Sequence, residues 1–247
     1  MVSGEMNSAP VVELIRASKV YRADGNLVSA VQEADLTLTP GSFTAIVGRS
    51  GCGKSTLLNL AGAVDLPTGG DVRIEQLSTR ELNDNELSRL RRTRIGFIFQ
   101  FFNLLPTLTV AENVELPLLL DLKRASSGQR ALLRQGFGGR AGLRKRAVHL
   151  LEMVGLTEKA GRLPHQLSGG EMQRVAVARA LVHEPRVVIA DEPTGNLDSA
   201  NADIILRLLQ RITREMGHTV LMATHSKEAA EFSSRVLSMR DGRLLYS

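Results

Sequence analysis

One cysteine, Cys52, stands among 247 residues, and tryptophan is absent. A single thiol excludes an internal disulfide and any Cys-rich metal site, which fits a reducing compartment. The five histidines, His149, His165, His183, His218 and His225, show no ligand spacing, so no structural metal is expected. Long apolar runs are missing too. The most apolar tract, VELPLLLDL, is short, charged and interrupted by proline, far below the roughly 20 apolar residues of a membrane span. The opening MVSGEMNSAP has neither a basic start nor an apolar run, so no signal peptide is expected. These absences predict a soluble chain whose membrane role, if any, runs through a partner or a surface.

What is present is ordinary in bulk. Hydrophobic residues make up 43% and charged residues 23%, enough for one large domain with a sizeable core. The net charge of +5 is local rather than global. Between Leu122 and Leu151 lie Lys123, Arg124, Arg130, Arg134, Arg140, Arg144, Lys145 and Arg146, with no Asp or Glu among them. Without those eight, the chain would be slightly acidic.

The patterning alternates strands and helices. Strands are expected at VVELIRASKV, LVSAVQEADLTLT, SFTAIVG, DVRIE, IGFIFQ, RVVIAD and TVLMAT, with a terminal hairpin around Asp241-Gly242. A helix is expected from Lys54 to about Gly62. Another spans STRELNDNELSRLRRTR, where Ser78 with Glu81 and Asn83 with Glu86 each fit a capping box. Further helices are expected from Thr109, over AVHLLEMVGL, from Ser168 to about His183, and from Ser199 to Gly217. RASSGQRALLRQGFGGRAGLRKR reads as loop flanking a short helix. A helix-rich block inside a strand-rich chain predicts an α/β core with a helical insertion.

GRSGCGKST, Gly48 to Thr56, places Gly48, Gly53, Lys54 and Ser55 in a G-x-x-x-x-G-K-[ST] pattern between an expected strand and an expected helix. The backbone N–H groups of Gly48, Arg49, Ser50, Gly51, Cys52 and Gly53 are free to turn toward phosphate oxygens, and the helix start adds partial positive charge. Lys54 reaches the β- and γ-phosphates, Ser55 offers a hydroxyl to Mg²⁺, and Thr56 adds a phosphate contact. RVVIADE then delivers Asp191 and Glu192 to a strand's C-terminal end. Asp191 is the expected Mg²⁺ holder and Glu192 the general base for water. Adjacent carboxylates there often only cap a helix; the buried-strand prefix favours catalysis. Cys52 reads as a tolerated small residue whose alkylation would block the site.

LSGGEMQ, Leu167 to Gln173, resembles the signature of ATP-binding-cassette (ABC) ATPases, and the resemblance covers nearly the whole chain. Ser168 and Glu171 fit a capping box, yet Gly169 and Gly170 each cost a helix interior roughly 1 kcal/mol, which capping alone does not require. The resemblance implies a P-loop NTPase (RecA-like) core over 1–104 and 184–247 with an N-terminal antiparallel β-subdomain. An inserted α-helical subdomain would span 105–183, with the basic insertion at about 123–146. It further implies that Tyr21 stacks on adenine, that Gln100 lines Mg²⁺ and the attacking water, that Asp198 closes a D-loop, and that His225 is a switch histidine. Taken alone, Tyr21 would read as core, Gln100 as a strand-end residue and His225 as ordinary. Two chains would pack head to tail with two ATP molecules between them, each γ-phosphate meeting Lys54 of one chain and the partner's Ser168.

GFIFQFFNLLPTLTVAENVELPL and DEPTGNLDS resemble the branch holding macrolide-export, lipoprotein-release and cell-division ATPases. This implies an integral membrane permease subunit as partner, a place on the cytoplasmic face of the inner membrane, and export or extraction of a lipid, lipoprotein, peptide or drug. Phe97 and Phe99 suit a buried strand. Phe101 and Phe102 belong either to the helical insertion's core or to a docking groove, which the family favours. The chain departs from the branch at about Ser126–Arg144. Those basic residues read first as a solvated insertion, or more sharply as a contact for anionic lipid headgroups or an acidic partner loop. Only Phe137 interleaves them, so no nucleic acid is expected. A soluble repair or translation ATPase would carry two cassettes or a coiled coil, and a small-molecule kinase would not explain the signature helix.

Overall fold

The computed structural model describes residues 9–23, 25–124 and 139–245. The stretch 125–138, which holds most of the expected insertion, lies outside the described residues; of the basic residues expected to meet lipid, Arg144 instead pairs with Glu115 at 2.9 Å and Arg146 with Glu184 at 3.1 Å.

Two sheets carry the fold. The first is antiparallel, in the order β2 (Asn26–Leu38), β1 (Val12–Ala23), β4 (Gly69–Ile74), β5 (Leu77–Ser78). The second runs β10 (Arg243–Leu245), β9 (Arg235–Arg240), β3 (Phe43–Val47), β8 (Thr219–Thr224), β7 (Val187–Asp191), β6 (Ile95–Phe99). Five of its strands are parallel, and β10 folds back antiparallel on β9. Parallel strands are covered on both faces and read as continuous apolar runs. That is why TVLMAT is buried at all six positions.

The two faces separate by the period of two along each strand. On β7, Val188 and Ala190 join one core, while Val187 and Ile189 join the other. Val220 and Met222 on β8 go with the first pair, Leu221 and Ala223 with the second. The first core lies under α3 (Val110–Arg124), α4 (Gly139–Met153), α5 (Gly169–Leu181) and α6 (Ser199–Arg214). The second holds Leu57, Leu58 and Leu60 of α1 (Lys54–Ala61) and the inner face of the antiparallel sheet.

Helix starts follow their caps, with one correction. Asn83 and Glu86 form a capping box that opens α2 (Asp84–Arg94). Ser78 does not cap. Its hydroxyl donates to Asp71 Oδ1 at 2.7 Å, Thr79–Glu81 is a single 3₁₀ turn, and extended Leu82 breaks the run. The expected helix over 78–94 therefore starts only at Asp84. Thr109 and Glu112 bond reciprocally at the start of α3. Helix α4 begins at Gly139, inside a stretch expected to be mainly loop.

The edge of the parallel sheet opposite its C-terminal ends is pinned by histidines. Just after α5, His183 Nε2 donates to Ile95 O at 3.0 Å, and its Nδ1 is buried without a partner. Burial holds its pKa down at about 4, against an upward pull from the Ile95 carbonyl. His218 Nδ1 bonds Pro185 O at 2.8 Å, and burial lowers its pKa as well. The folded chain keeps His183 neutral down to about pH 4, whereas the unfolded chain takes up that proton near pH 6.5. Acidification through that window therefore favours unfolding, by up to about 1.4 kcal/mol per pH unit for this histidine. Denaturant titrations at pH 7, 6 and 5 should show stability falling with pH, and His183→Gln should flatten the slope; an unchanged slope would refute the assignment.

Candidate functional site

The strand order β3–β8–β7–β6 sets four parallel C-terminal ends side by side. Residues that leave those ends are the glycine-rich loop after Val47, His225 after Thr224, Asp191 and Glu192 at the end of β7, and Gln100 after Phe99. Four stretches distant in sequence thus converge because their strands share one direction.

The loop is shaped by close packing. Gly53 has φ 108°, and a Cβ there would lie 2.2 Å from Ala30 O. Gly53 also caps α1 with no side-chain bond, and no acidic residue occupies the first turn, so the helix start is bare. Lys54 is 7% exposed, with Nζ donating to Gly48 O at 2.8 Å and Arg49 O at 3.2 Å. The same Nζ lies 3.6 Å from Glu192 Oε1. A cation is thereby held inside a ring of backbone dipoles, facing a carboxylate.

Glu192 joins the strands. Its backbone is left-handed, φ 45°, with N donating to Ala223 O at 3.0 Å. Its Oε2 accepts from His225 Nδ1 at 2.9 Å and from His225 N at 3.3 Å. A non-glycine residue in this region carries strain that its surroundings must hold, and here the β8 carbonyl and His225 do so. Beside it, Asp191 Oδ1 is buried with no partner. Burial pushes the Asp191 pKa up, helped by the Glu192 charge and opposed by a hydrogen bond from Ser55 and by Lys54. A buried carboxylate oxygen beside a serine hydroxyl is a hard donor pair suited to a small divalent cation.

Gln100 is tied to the loop that follows Glu192. Its Nε2 donates to Asn196 Oδ1 and its O accepts from Asn196 Nδ2, both at 3.1 Å. Gly195 lies so near that a Cβ there would sit 2.9 Å from Gln100 Nε2. Ser50, Gly51, Cys52, Gly53, Lys54, Ser55, Thr56, Gln100, Glu192 and His225 all line one cleft of about 870 Å³, walled on the other side by Val28, Ser29 and Ala30. Tyr21 pairs with Val28 across the β1–β2 hairpin. Its hydroxyl donates to Asp65 Oδ2 at 2.8 Å. Burial and that bond raise its pKa, while Thr56 pulls it down.

Tyr21, Gly48, Arg49 and Asp191 adjoin these residues without lining the cleft, and the remaining predicted residues, Ser168, Gly169, Gly170 and Asp198, do not line it either. These last four form a second group. Ser168 and Glu171 make a capping box at the start of α5, and Lys159 pairs with Glu171. Asp198 caps α6 through Asn201 N at 2.8 Å and holds the Asn201 amide at 2.8 Å. A Cβ at Gly170 would fall 2.0 Å from Asn201 Oδ1, so this glycine is required by the crossing of α5 and α6. Gly169 meets only ordinary contacts, 3.6 Å to Leu197 and 3.8 Å to Phe102.

Four residues that sequence reading passed over hold these parts. Asn196 secures Gln100. Asp65 secures Tyr21. Gln173 is fully buried, with Nε2 donating to Pro193 O at 2.7 Å and Phe99 O at 3.3 Å. It lies on an i, i+4, i+8 line with buried Val177 and Leu181, and a glutamine on an apolar stripe was the available signal. Arg179 donates to the carbonyls of Phe102 and Asn103, both left-handed. Phe101 is 74% exposed, which removes the core reading for it, and Phe97 and Phe99 are half-buried with rings stacked at 5.8 Å.

Residues 31–195 match the family model described as ABC transporter. The chain is 43% identical to the lipoprotein-releasing system ATP-binding protein LolD of Anaeromyxobacter dehalogenans, over 96% of this chain and 94% of that one. It is 41% identical to the macrolide export ATP-binding/permease protein MacB of Chlorobaculum tepidum, over 94% of this chain but 33% of that longer protein. The fold superposes with TM-score 0.81 and 41% identity on an ATP-binding cassette of Methanocaldococcus jannaschii, solved as a dimer in a post-hydrolysis state with ADP and Pi. That match covers 95% of this chain and 97% of the other. With a P-loop on a parallel sheet, carboxylates at the neighbouring strand end and a capped glycine helix start in family order, the chain belongs to the ABC transporter family and is its ATP-binding, ATP-hydrolysing subunit, of LolD and MacB type.

Proposed function

We propose that this subunit works as one half of a head-to-tail pair that closes on two ATP molecules and transmits the closure to a membrane permease. The observation that carries the reading is the separation of the two groups. A bare helix start and a caged lysine line one cleft. The capped glycine tip at Ser168 lies outside that cleft. The Methanocaldococcus jannaschii cassette, a dimer with ADP and Pi, supports a second copy as the source of the missing wall.

In this reading Lys54 exchanges carbonyl partners for the β- and γ-phosphates, while the backbone of Gly48 through Gly53 and the hydroxyl of Thr56 take the remaining oxygens. Tyr21 stacks on adenine. Ser55, Asp191 and Gln100 are the residues that would hold Mg²⁺, and the orphaned Asp191 Oδ1 is the observation that favours it. When bound, the ion supplies neutralisation of phosphate charge. Glu192 takes the proton of the attacking water. His225, already bonded to Glu192 Oε2, fixes the carboxylate so that Oε1 faces the cleft. The partner's Ser168, Gly169 and Gly170 complete the γ-phosphate site, and Asp198 lies at the seam. Phe101, exposed beside Gln100, offers a contact for the permease at the cytoplasmic face of the membrane. No helix among the described residues is long and apolar enough to cross a membrane, and the name LolD makes lipoprotein release the nearest model for the work done.

Two variants test the roles. Glu192→Gln should lower turnover by roughly 10²–10⁴-fold, retain ATP binding, and yield an ATP-dependent dimer on a sizing column; unchanged hydrolysis would remove Glu192 as the base. Asp191→Asn separates stability from function. Ionising a carboxyl whose folded pKa is raised costs stability as pH rises through that pKa. The nucleotide-free variant should therefore melt about 2–4 °C higher at pH 7, yet gain no Mg²⁺-dependent stabilisation from ATP. A lower melting temperature would show that the buried charge is compensated.

A further inference from the structure

Behind Tyr21 the chain builds a charged clamp. Lys19 and Tyr21 are two apart on β1 and so share a face. Lys19, whose side chain is 12% exposed, donates to Asp65 Oδ1 at 2.5 Å and to Leu66 O at 2.9 Å. Its ammonium lies 5.1 Å from the centroid of the Tyr21 ring. The Tyr21 hydroxyl takes the other Asp65 oxygen at 2.8 Å. Burial alone would raise the Asp65 pKa, but Lys19, Tyr21 and the Leu66 N–H together hold it below the usual carboxylate range. The clamp loop is also stitched to β1: Thr68 N donates to Ser18 O at 2.8 Å, and Val20 N donates to Thr68 Oγ1 at 3.2 Å.

We propose that Lys19 and Asp65 are positioning residues that lock the Tyr21 ring with one face covered and the other presented to a purine, so that base affinity depends on a charge pair that never touches the nucleotide. The proposal rests on the reading that Tyr21 stacks on adenine. Asp65 and Thr56 hold the ring at its hydroxyl and Lys19 lies across its face, so it is ordered before ligand arrives. A side chain ordered in advance spares the complex that loss of freedom. Both Asp65 oxygens and two Lys19 protons are taken up internally. The clamp supports stacking without reading which purine is bound. Asp65 also lies just past the C-terminal end of α1, whose N-terminus holds the glycine loop. The base end and the phosphate end of the site are thus tied to one helix.

Calorimetric titration of the full chain with ATP, GTP and inorganic tripolyphosphate tests this. Lys19→Met and Asp65→Asn should each weaken ATP and GTP alike by about three- to tenfold and leave tripolyphosphate within about twofold. Lys19→Arg should restore most of the loss. Tyr21→Phe combined with Asp65→Asn should be no worse than Asp65→Asn alone, since the second change already disturbs the hydrogen bond that the first removes. If Tyr21→Ala weakens ATP while Lys19→Met and Asp65→Asn do not, the clamp is wrong and stacking stands. If Tyr21→Ala leaves ATP unchanged, stacking fails and takes the clamp with it. If ATP and tripolyphosphate weaken together, the pair supports α1 rather than the ring, and the proposal is overturned.

Discussion

Parallel pairing of β3, β8, β7 and β6 is the constraint on which the site depends. Each strand contributes one short exit: the glycine loop, His225, the Asp191–Glu192 pair and Gln100. None of these carries chemistry alone. Register places Val47 opposite Thr224 and Ala223 opposite Asp191, so the exits fall level with one another. A slip of one residue would exchange the side chains that a strand gives to the two cores and scatter the four exits along the edge.

That edge holds unfavourable features that the rest of the fold supports. Asp191 keeps a carboxylate oxygen out of water without a donor. Glu192 sits in a left-handed conformation. Lys54 is nearly buried and directed at backbone carbonyls. The first two are costs that the surrounding structure must offset. Two apolar cores on opposite sides of the sheet supply the stability that allows it.

How much of this was readable in the chain depended on the range of the interaction. Capping at Asn83, Thr109 and Ser168, the buried strands and the glycine loop are local, and periodicity with spacing was enough to find them. The Ser78 cap failed because Asp71, on a different strand, takes that hydroxyl. Gly170 was readable as unusual but not as packed on Asn201, since only the crossing of two helices brings those residues together. Asn196, Asp65, Gln173 and Arg179 were missed for one reason. Each acts on a loop that reaches it only through the fold, and an amide or a cation between apolar neighbours looks much like any solvated residue until burial is known.

The interlock at Gly170 has a mechanical consequence. With Asn201 filling the place a side chain would occupy, the tip of α5 has no slack against the start of α6. The segment leading into α6 carries Asn196, which grips Gln100, and Gln173 grips both Phe99 and Pro193 from the body of α5. The helix tip, the loop flanking the carboxylates and Gln100 are thereby joined by one continuous run of contacts.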